Sequence, residues 1–148
     1  MSDVNDAIRL DWALHALQKQ CLARLFFNHS IHFGQPPLLC TIKKLGSCSQ
    51  NELARTLNVS PASIAVSLKR MEKSGYIQKM HDPNDLRSNR IALTAAGQEA
   101  ACWSEDVLRD VTRQKFAGFT EEECGQLMHF FARMQQNLID YKNQLETE

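Results

Sequence analysis

The residues with the clearest chemical potential form a run of small, hydroxylic and cationic side chains between positions 60 and 73. Within this run Ile64, Leu68 and Met71 recur at i, i+4 and i+7, which predicts a buried stripe on a helix. Small outward side chains let a helix backbone approach base edges, and cations meet the flanking phosphates. The chemistry indicated is binding in the major groove of double-stranded DNA. The outward residues expected to bind DNA are Ser60, Ala62, Ser63, Val66, Ser67, Lys69, Arg70 and Lys73.

Two short helices joined by a tight turn are predicted to position this run. Ser49 and Glu52 have the spacing of a capping box, which predicts a helix start. Asn58 is a residue type that tolerates the left-handed turn conformation. Ser60 is a good N-cap for the second helix, and Pro61 suits its first position. This order is typical of a helix-turn-helix, although the same pair of helices also occurs in ordinary helical bundles.

A β-hairpin is predicted directly after the second helix. Residues 76–80 and 89–93 have strand character, and the turn formers of residues 81–88 separate them. A hairpin in this place is typical of a wing beside a recognition helix. Asp85 and Arg87 flank one residue, so their side chains can point to the same side, where the carboxylate aims the guanidinium. We expect Arg87 to enter a narrow minor groove, Asp85 to orient it and Arg90 to meet a phosphate.

Five short motifs follow one another between residues 49 and 97. They are Gln50-x-Glu52-Leu53-Ala54, Ser60-Pro61-x-Ser63, Met71-Glu72-Lys73-x-Gly75-Tyr76, Asp85-x-Arg87 and Leu93-Thr94-x-x-Gly97. Their order and spacing resemble the MarR family of winged helix-turn-helix transcription regulators. The resemblance implies a mainly α fold with a small β-hairpin wing and long N- and C-terminal dimerisation helices. It implies a single domain over 1–148, with the DNA-binding lobe at 35–97 and the helical dimerisation region at 1–34 and 98–148.

The recognition helix departs from the family pattern at one position. Many relatives carry an arginine or another long polar residue near the place of Val66. Arginine–guanine pairing from that position is therefore excluded here. Ala62 and Val66 suit thymine methyl groups instead, while the nearby serines offer hydroxyls. This departure affects which operator sequence is recognised. It also slightly favours an alternative function, a helical protein-interaction module without DNA binding.

Charge is distributed unevenly although the net charge is zero. Residues 55–90 hold seven cations against three anions, whereas residues 99–148 hold ten anions against five cations. A phosphate backbone responds to the local field rather than to the total charge. The positive block coincides with the predicted helix-turn-helix and wing, so the charge pattern agrees with a DNA partner.

Both terminal regions predict long helices with narrow apolar seams. The first helix is expected over residues 8–32, and Trp12 lies off its seam, facing either a partner subunit or its own core. A long seam near the chain end has little of its own domain to pack on, so we expect a homodimer. The alternative is an intramolecular pair of the first and last helices. The seams are Leu10, Leu14, Leu17, Cys21 and Leu25, widened by Leu22 and Phe26, and Leu127, Phe130, Met134, Leu138, Tyr141 and Leu145.

A break after the first helix carries two histidines, three residues apart. No acidic or cysteine neighbour joins His29 and His32 in sequence, so we expect no metal site. The resemblance to the MarR family implies a cleft here for a small aromatic or phenolic effector. On that ground alone, His29, His32 and Phe33 are the candidate ligand-binding residues.

The five cysteines form no CxxC pair and are expected to be free thiols, mostly buried as small apolar side chains. Some MarR-like proteins sense oxidants through a cysteine in the first helix, where Cys21 lies. Cys21 falls on the apolar seam, however, whereas a reactive thiol needs an electropositive, partly exposed place. We expect Cys21 to serve packing, and we keep a redox-sensing regulator as an alternative function.

Other function classes find no support in the sequence. It contains no nucleophile elbow, P-loop, GxGxxG or paired-histidine motif, so we expect neither an enzyme nor a cofactor. No apolar run reaches about 18 residues, and the first eleven residues do not resemble a signal peptide. The sequence therefore predicts a cytoplasmic homodimeric repressor that binds a pseudopalindromic DNA operator and is released by a small ligand.

Overall fold

The structure, a computed structural model, describes residues 3–29, 31–32, 34–82 and 85–146, without the side chains of residues 82 and 85–88. The described chain is mainly helical with a small antiparallel sheet, which confirms the predicted fold class. None of its described helices is both long and apolar enough to cross a membrane. In chain order the elements are α1 (Val4–Asn28), α2 (Gln35–Leu45), β1 (Ser47–Cys48), α3 (Gln50–Thr56), α4 (Pro61–Lys73), β2 (Ile77–Asp82), β3 (Asp85–Leu93), α5 (Ala95–Gln114) and α6 (Glu121–Leu145).

The chain divides into two compact units, Met1–Thr112 and Arg113–Glu148. The first unit holds the hydrophobic core, to which α1, α2, α3, α4, the sheet and α5 all contribute buried side chains. The predicted stripe of α4 is confirmed, because Ile64, Leu68 and Met71 are all buried. The second unit is essentially α6, which begins at a complete capping box formed by Thr120 and Glu123.

The sheet has three strands in the order β1-β3-β2, all antiparallel. The predicted hairpin is present, but its strands are longer than predicted, because backbone pairing continues through His81↔Asn89 toward the tip. The sequence did not predict β1, whose two residues are too few to show an alternating pattern. This short strand joins the hairpin to the region between α2 and α3, with Ser47 opposite Ala92.

The first helix buries the two residues that widen its predicted seam and leaves the seam itself largely exposed. Leu22 and Phe26 are buried, whereas Leu10 and Leu17 are 65% and 58% exposed. The helix also ends at Asn28, four residues before the predicted end. Trp12 is 71% exposed, so it does not cover the core of its own chain.

The last helix has no buried residue at all. Most of its predicted seam is open to solvent in the single chain, with Leu138 69% exposed. The single chain therefore leaves a long apolar stripe of α6 in water, and exposed stripes of this kind often mark interaction surfaces.

The expectation that most cysteines are buried is wrong. Only Cys48 is buried, Cys40 and Cys124 are half-buried, and Cys21 and Cys102 are exposed. Cys21 is exposed together with its seam neighbours Leu17 and Leu25. Packing within its own chain therefore does not account for this residue.

Candidate nucleic-acid interface

The start of α3 is fixed by two reciprocal hydrogen bonds. The Glu52 backbone N–H donates to Ser49 Oγ over 3.2 Å, and the Ser49 backbone N–H donates to Glu52 Oε2 over 2.7 Å. Both bonds of the predicted capping box are therefore present. The Ser49 backbone N–H and hydroxyl hold the pKa of the Glu52 carboxyl below its usual range, since they favour its ionised form.

The turn between α3 and α4 requires a left-handed residue, and Asn58 supplies it with a φ of 55°. Gln50 Nε2 then donates a 2.8 Å hydrogen bond to the Pro61 carbonyl, which ties the beginnings of α3 and α4 together. Nothing in the sequence pattern identified this contact, because it joins residues eleven positions apart. Together the turn and the bond fix the direction in which α4 leaves α3.

Hydrogen bonds between Ser60 and Ser63 stabilise the first turn of α4. Ser60 Oγ accepts a 3.3 Å hydrogen bond from the Ser63 backbone N–H, and Ser63 Oγ donates over 2.6 Å to the Ser60 carbonyl. The N-cap predicted at Ser60 is confirmed. Both hydroxyl groups are exposed and retain acceptor lone pairs, but the proton of Ser63 is already engaged.

The face of α4 opposite the core carries the predicted apolar and cationic side chains. Val66 is 62% exposed and Ala62 is also exposed, so both present methyl groups to solvent. Ser67 is half-buried and lies toward Gly34, where an added Cβ would come within 3.7 Å of Ser67 Oγ. Among the predicted residues of α4, Ser67 is thus the one that is not fully exposed.

The cations at the end of α4 are available to a partner. Lys69, Arg70 and Lys73 are exposed, and no ion pair joins them to any side chain that the structure describes. Lys79 differs, since its ammonium donates to Glu72 Oε2 over 2.8 Å and links β2 to α4.

Arg90 holds the wing to the rest of the lobe. Its guanidinium donates to Ser47 Oγ over 3.1 Å and to the Ser47 carbonyl over 2.6 Å, and it lies 3.9 Å from a Glu52 carboxylate oxygen. The structure therefore gives Arg90 a tethering role between β3, β1 and the start of α3. Asp85 and Arg87 belong to β3, but their side chains lie outside the described residues.

A shallow cavity of about 300 Å³ lies where the end of α1 meets the start of α5. His29, one of the three predicted ligand residues, lines it. The His29 and Trp103 rings lie 4.0 Å apart between centroids. His32 is exposed and does not line the cavity, and Phe33 lies outside the described residues. The described lining consists of His29, Ile31, Tyr76, Ala96, Glu99, Ala100 and Trp103.

Sequence reasoning missed Trp103 and Tyr76 as cavity residues. Each lies more than 40 positions from His29, and neither local pattern nor spacing predicts such a contact. The one sequence feature that bears on it is Gly97, which in the structure lies against the Tyr76 backbone. Glycine is suited to such close approach because it has no Cβ.

Residues 35–88 match the family model described as the MarR family. They include α2, the helix-turn-helix and most of the wing, with the geometry described above. Over these residues the winged lobe of this chain is similar to the MarR family. A curated relative, the HTH-type transcriptional regulator BilQ of Clostridioides difficile (strain CD3), is 30% identical over 81 residues. That alignment covers 55% of this chain and 52% of the relative, so this chain spans about half the length of BilQ.

Solved structures share the MarR-family fold over most of the chain. A putative MarR-like transcription regulator from Bacillus cereus matches with a TM-score of 0.77 and 22% identity, covering 90% of this chain and 96% of its own. The YusO protein from Bacillus subtilis matches with a TM-score of 0.74 and 22% identity, covering 92% and 99%. A mutant MarR from E. coli complexed with operator DNA matches with a TM-score of 0.71 and 21% identity, covering 90% and 99%.

Proposed function

We propose that this chain is a cytoplasmic transcription regulator that binds DNA sequence-specifically, and that it is not an enzyme. The observation that carries the proposal is the outer face of α4, where exposed small side chains precede three exposed cations on a MarR-family lobe. The E. coli MarR complex supports it, because a protein of the same fold is bound there to operator DNA.

In the proposed complex, α4 lies in the major groove. Ala62 and Val66 contact thymine methyl groups, and the serine hydroxyls at the helix start accept or donate at base edges or phosphates. Lys69, Arg70 and Lys73 neutralise phosphates. From the wing, Arg87 reaches the adjacent minor groove and Asp85 orients it. Arg90 acts through the position of the wing, because its donors are directed at Ser47.

The proposed functional unit is a homodimer on a pseudopalindromic operator. The exposed apolar seams of α1 and α6 support it, since a monomer would leave residues such as Leu10 and Leu138 in water. Two copies related by a twofold axis would present two α4 helices to two half-sites. Sedimentation of the full-length chain tests this directly, and a folded monomer at micromolar concentration would exclude it.

We further propose that the regulator represses and that a small ligand in the His29–Trp103 cavity releases it. A ligand that changes DNA affinity must bind the free and DNA-bound conformations unequally. The cavity is lined by residues that follow α1, by Tyr76 after α4 and by the start of α5. A ligand there would therefore contact the winged lobe and the segments that precede and follow it in the sequence.

Selection of bound duplexes from random DNA with purified protein tests the proposed function. We expect enrichment of one pseudopalindromic sequence by the wild type and none by a Lys69→Ala, Arg70→Ala double variant of unchanged fold. If a folded dimer enriches no sequence, the chain is instead a helical interaction module.

A redox-sensing regulator remains a second candidate because Cys21 is exposed in the chain. The selected duplex provides its test, with affinity measured after treatment by hydrogen peroxide and after reduction. Loss of affinity that Cys21→Ser prevents would favour this candidate, and equal affinity in both states would remove it.

A further inference from the structure

The cavity at the end of α1 has one wall formed by a single face of α5. Ala96, Glu99, Ala100 and Trp103 follow one another at i, i+3, i+4 and i+7, so they are neighbours on that face. The two alanines leave room for a ligand, Trp103 supplies an aromatic wall, and Glu99 supplies a carboxylate. The helix spacing alone therefore places a negative charge beside an aromatic ring at a distance of about one turn.

The aromatic wall is held in place by contacts within the first unit. Phe26 is buried and meets Trp103 edge to face, with the ring centroids 5.5 Å apart. The His29 ring also contacts Trp103, with the ring planes inclined by 41°. Trp103 and Tyr76 are both half-buried, so part of each ring remains accessible to a ligand. An aromatic ring fixed by its neighbours loses little conformational entropy when a ligand packs on it.

Glu99 sets the electrostatic character of this cavity. It is exposed, and no hydrogen bond or ion pair connects it to another side chain in the part of the chain that the structure describes. Among the described lining residues it is the one acidic group, and lysine and arginine are lacking. A carboxylate beside tryptophan and tyrosine rings attracts an ammonium group, and it repels a ligand carboxylate.

We propose that this cavity binds a small arylalkylamine, and that Glu99 determines the selection of a cation over an anion. In the bound state the ligand ammonium lies near Glu99, and its aromatic ring packs against Trp103 and Tyr76. A volume of about 300 Å³ is at the lower end of the range for ligand pockets, which restricts the ligand to a small molecule. Ligand binding to this cavity is measured without DNA. Only the expected effect of the ligand on DNA affinity rests on the proposed function.

The test compares two probes that share a phenyl ring and a two-carbon chain but carry opposite charges, phenethylamine and 3-phenylpropionate. Isothermal titration calorimetry with the full chain should show phenethylamine binding at least about tenfold more tightly than 3-phenylpropionate. Glu99→Gln should weaken phenethylamine binding and bring the two probes within about threefold of each other. Asp110→Asn, a matched loss of one exposed carboxylate on the same helix, should leave the preference unchanged.

Circular dichroism of each variant confirms that the fold is retained. Tighter binding of 3-phenylpropionate, no binding of either probe, or an unchanged preference in Glu99→Gln would each overturn the proposal. The DNA-binding proposal is judged separately, from the affinity of the ligand-free protein for its selected duplex. Probe binding with no effect on DNA would retain the cavity assignment and remove only its regulatory role.

Discussion

Gly97 lies against the backbone of Tyr76 so closely that a Cβ added to Gly97 would be 1.8 Å from the Tyr76 carbonyl oxygen. The same carbonyl accepts a 3.0 Å hydrogen bond from the Thr94 backbone N–H. Thr94 Oγ1 in turn accepts from the Gly97 backbone N–H over 3.0 Å. This small network joins the segment after α4 to the start of α5, and it sets the position of one wall of the proposed ligand cavity.

Substitution of Gly97 by alanine should destabilise the fold. The added methyl group meets backbone rather than a flexible side chain, so the segment or the helix must shift, at a cost on the order of 1–3 kcal/mol. Thermal unfolding should show a clear fall in Tm. Gly125→Ala in α6 is the matched control, because its Cβ meets nothing within 4 Å, and it should be neutral or stabilise by up to about 1 kcal/mol. Equal Tm values for Gly97→Ala and the wild type would contradict this packing.

The capping box at Ser49 predicts a pH-dependent contribution to stability. Its hydrogen bonds lower the pKa of Glu52 in the folded state, so their contribution is present above the unfolded pKa and is lost as pH falls through the folded pKa. Glu52→Gln should therefore be less stable than the wild type at pH 7. The difference should shrink as pH falls below about 4, where the unfolded carboxyl becomes protonated, and level off once the folded carboxyl is protonated too. Urea unfolding at several pH values measures it, and a difference that stays constant with pH would argue against the ionised cap.

Much of the winged lobe could be predicted because its signals are local. Caps at Ser49 and Ser60, and the stripe Ile64, Leu68 and Met71, depend on residues within two helical turns of one another. Contacts between distant residues left no such signal. The bonds of Arg90 to Ser47 span 43 positions, so no local pattern could show that this expected phosphate contact also holds β3 to β1.

Periodicity also did not reveal which stripe of α1 is buried. Leu22 and Phe26 are shifted by about one position from the Leu17–Cys21–Leu25 seam, so both stripes show helical spacing. The choice between them depends on where the rest of the chain lies. Similarly, the approach of His29 to Trp103 is decided by tertiary packing and cannot be derived from the residues around either one.

The cations of α4 should act as phosphate contacts. Lys69→Ala should weaken binding to all DNA sequences alike and reduce the slope of log K against log salt by about one. Its Tm should not change, because Lys69 is exposed and has no ion-pair partner among the described side chains. Fluorescence anisotropy at several salt concentrations measures the slope. Arg133→Ala, which removes an exposed cation from α6, is the control and should leave the slope as it is.

The wing contact remains a prediction from the sequence. Arg87→Ala should weaken operator binding by about 1–3 kcal/mol without lowering Tm. Asp85→Ala should weaken binding less, whereas a simple charge count predicts tighter binding. A surface ion pair without a role in binding would stabilise folding by about 0–1 kcal/mol and leave DNA affinity unchanged. Wild-type affinity of Arg87→Ala at two salt concentrations would favour that simpler interpretation.

The central claim, that the outer face of α4 lies in the major groove, is tested most directly at Val66. This side chain is 62% exposed, so Val66→Asp should fold with nearly the wild-type Tm. In the groove the new carboxylate would face base edges between two phosphate backbones, and affinity for the selected duplex should fall by at least about a hundredfold. The measurement is the anisotropy titration of that duplex with both proteins at one salt concentration. Equal affinity of Val66→Asp and the wild type would contradict the placement of α4 in the groove.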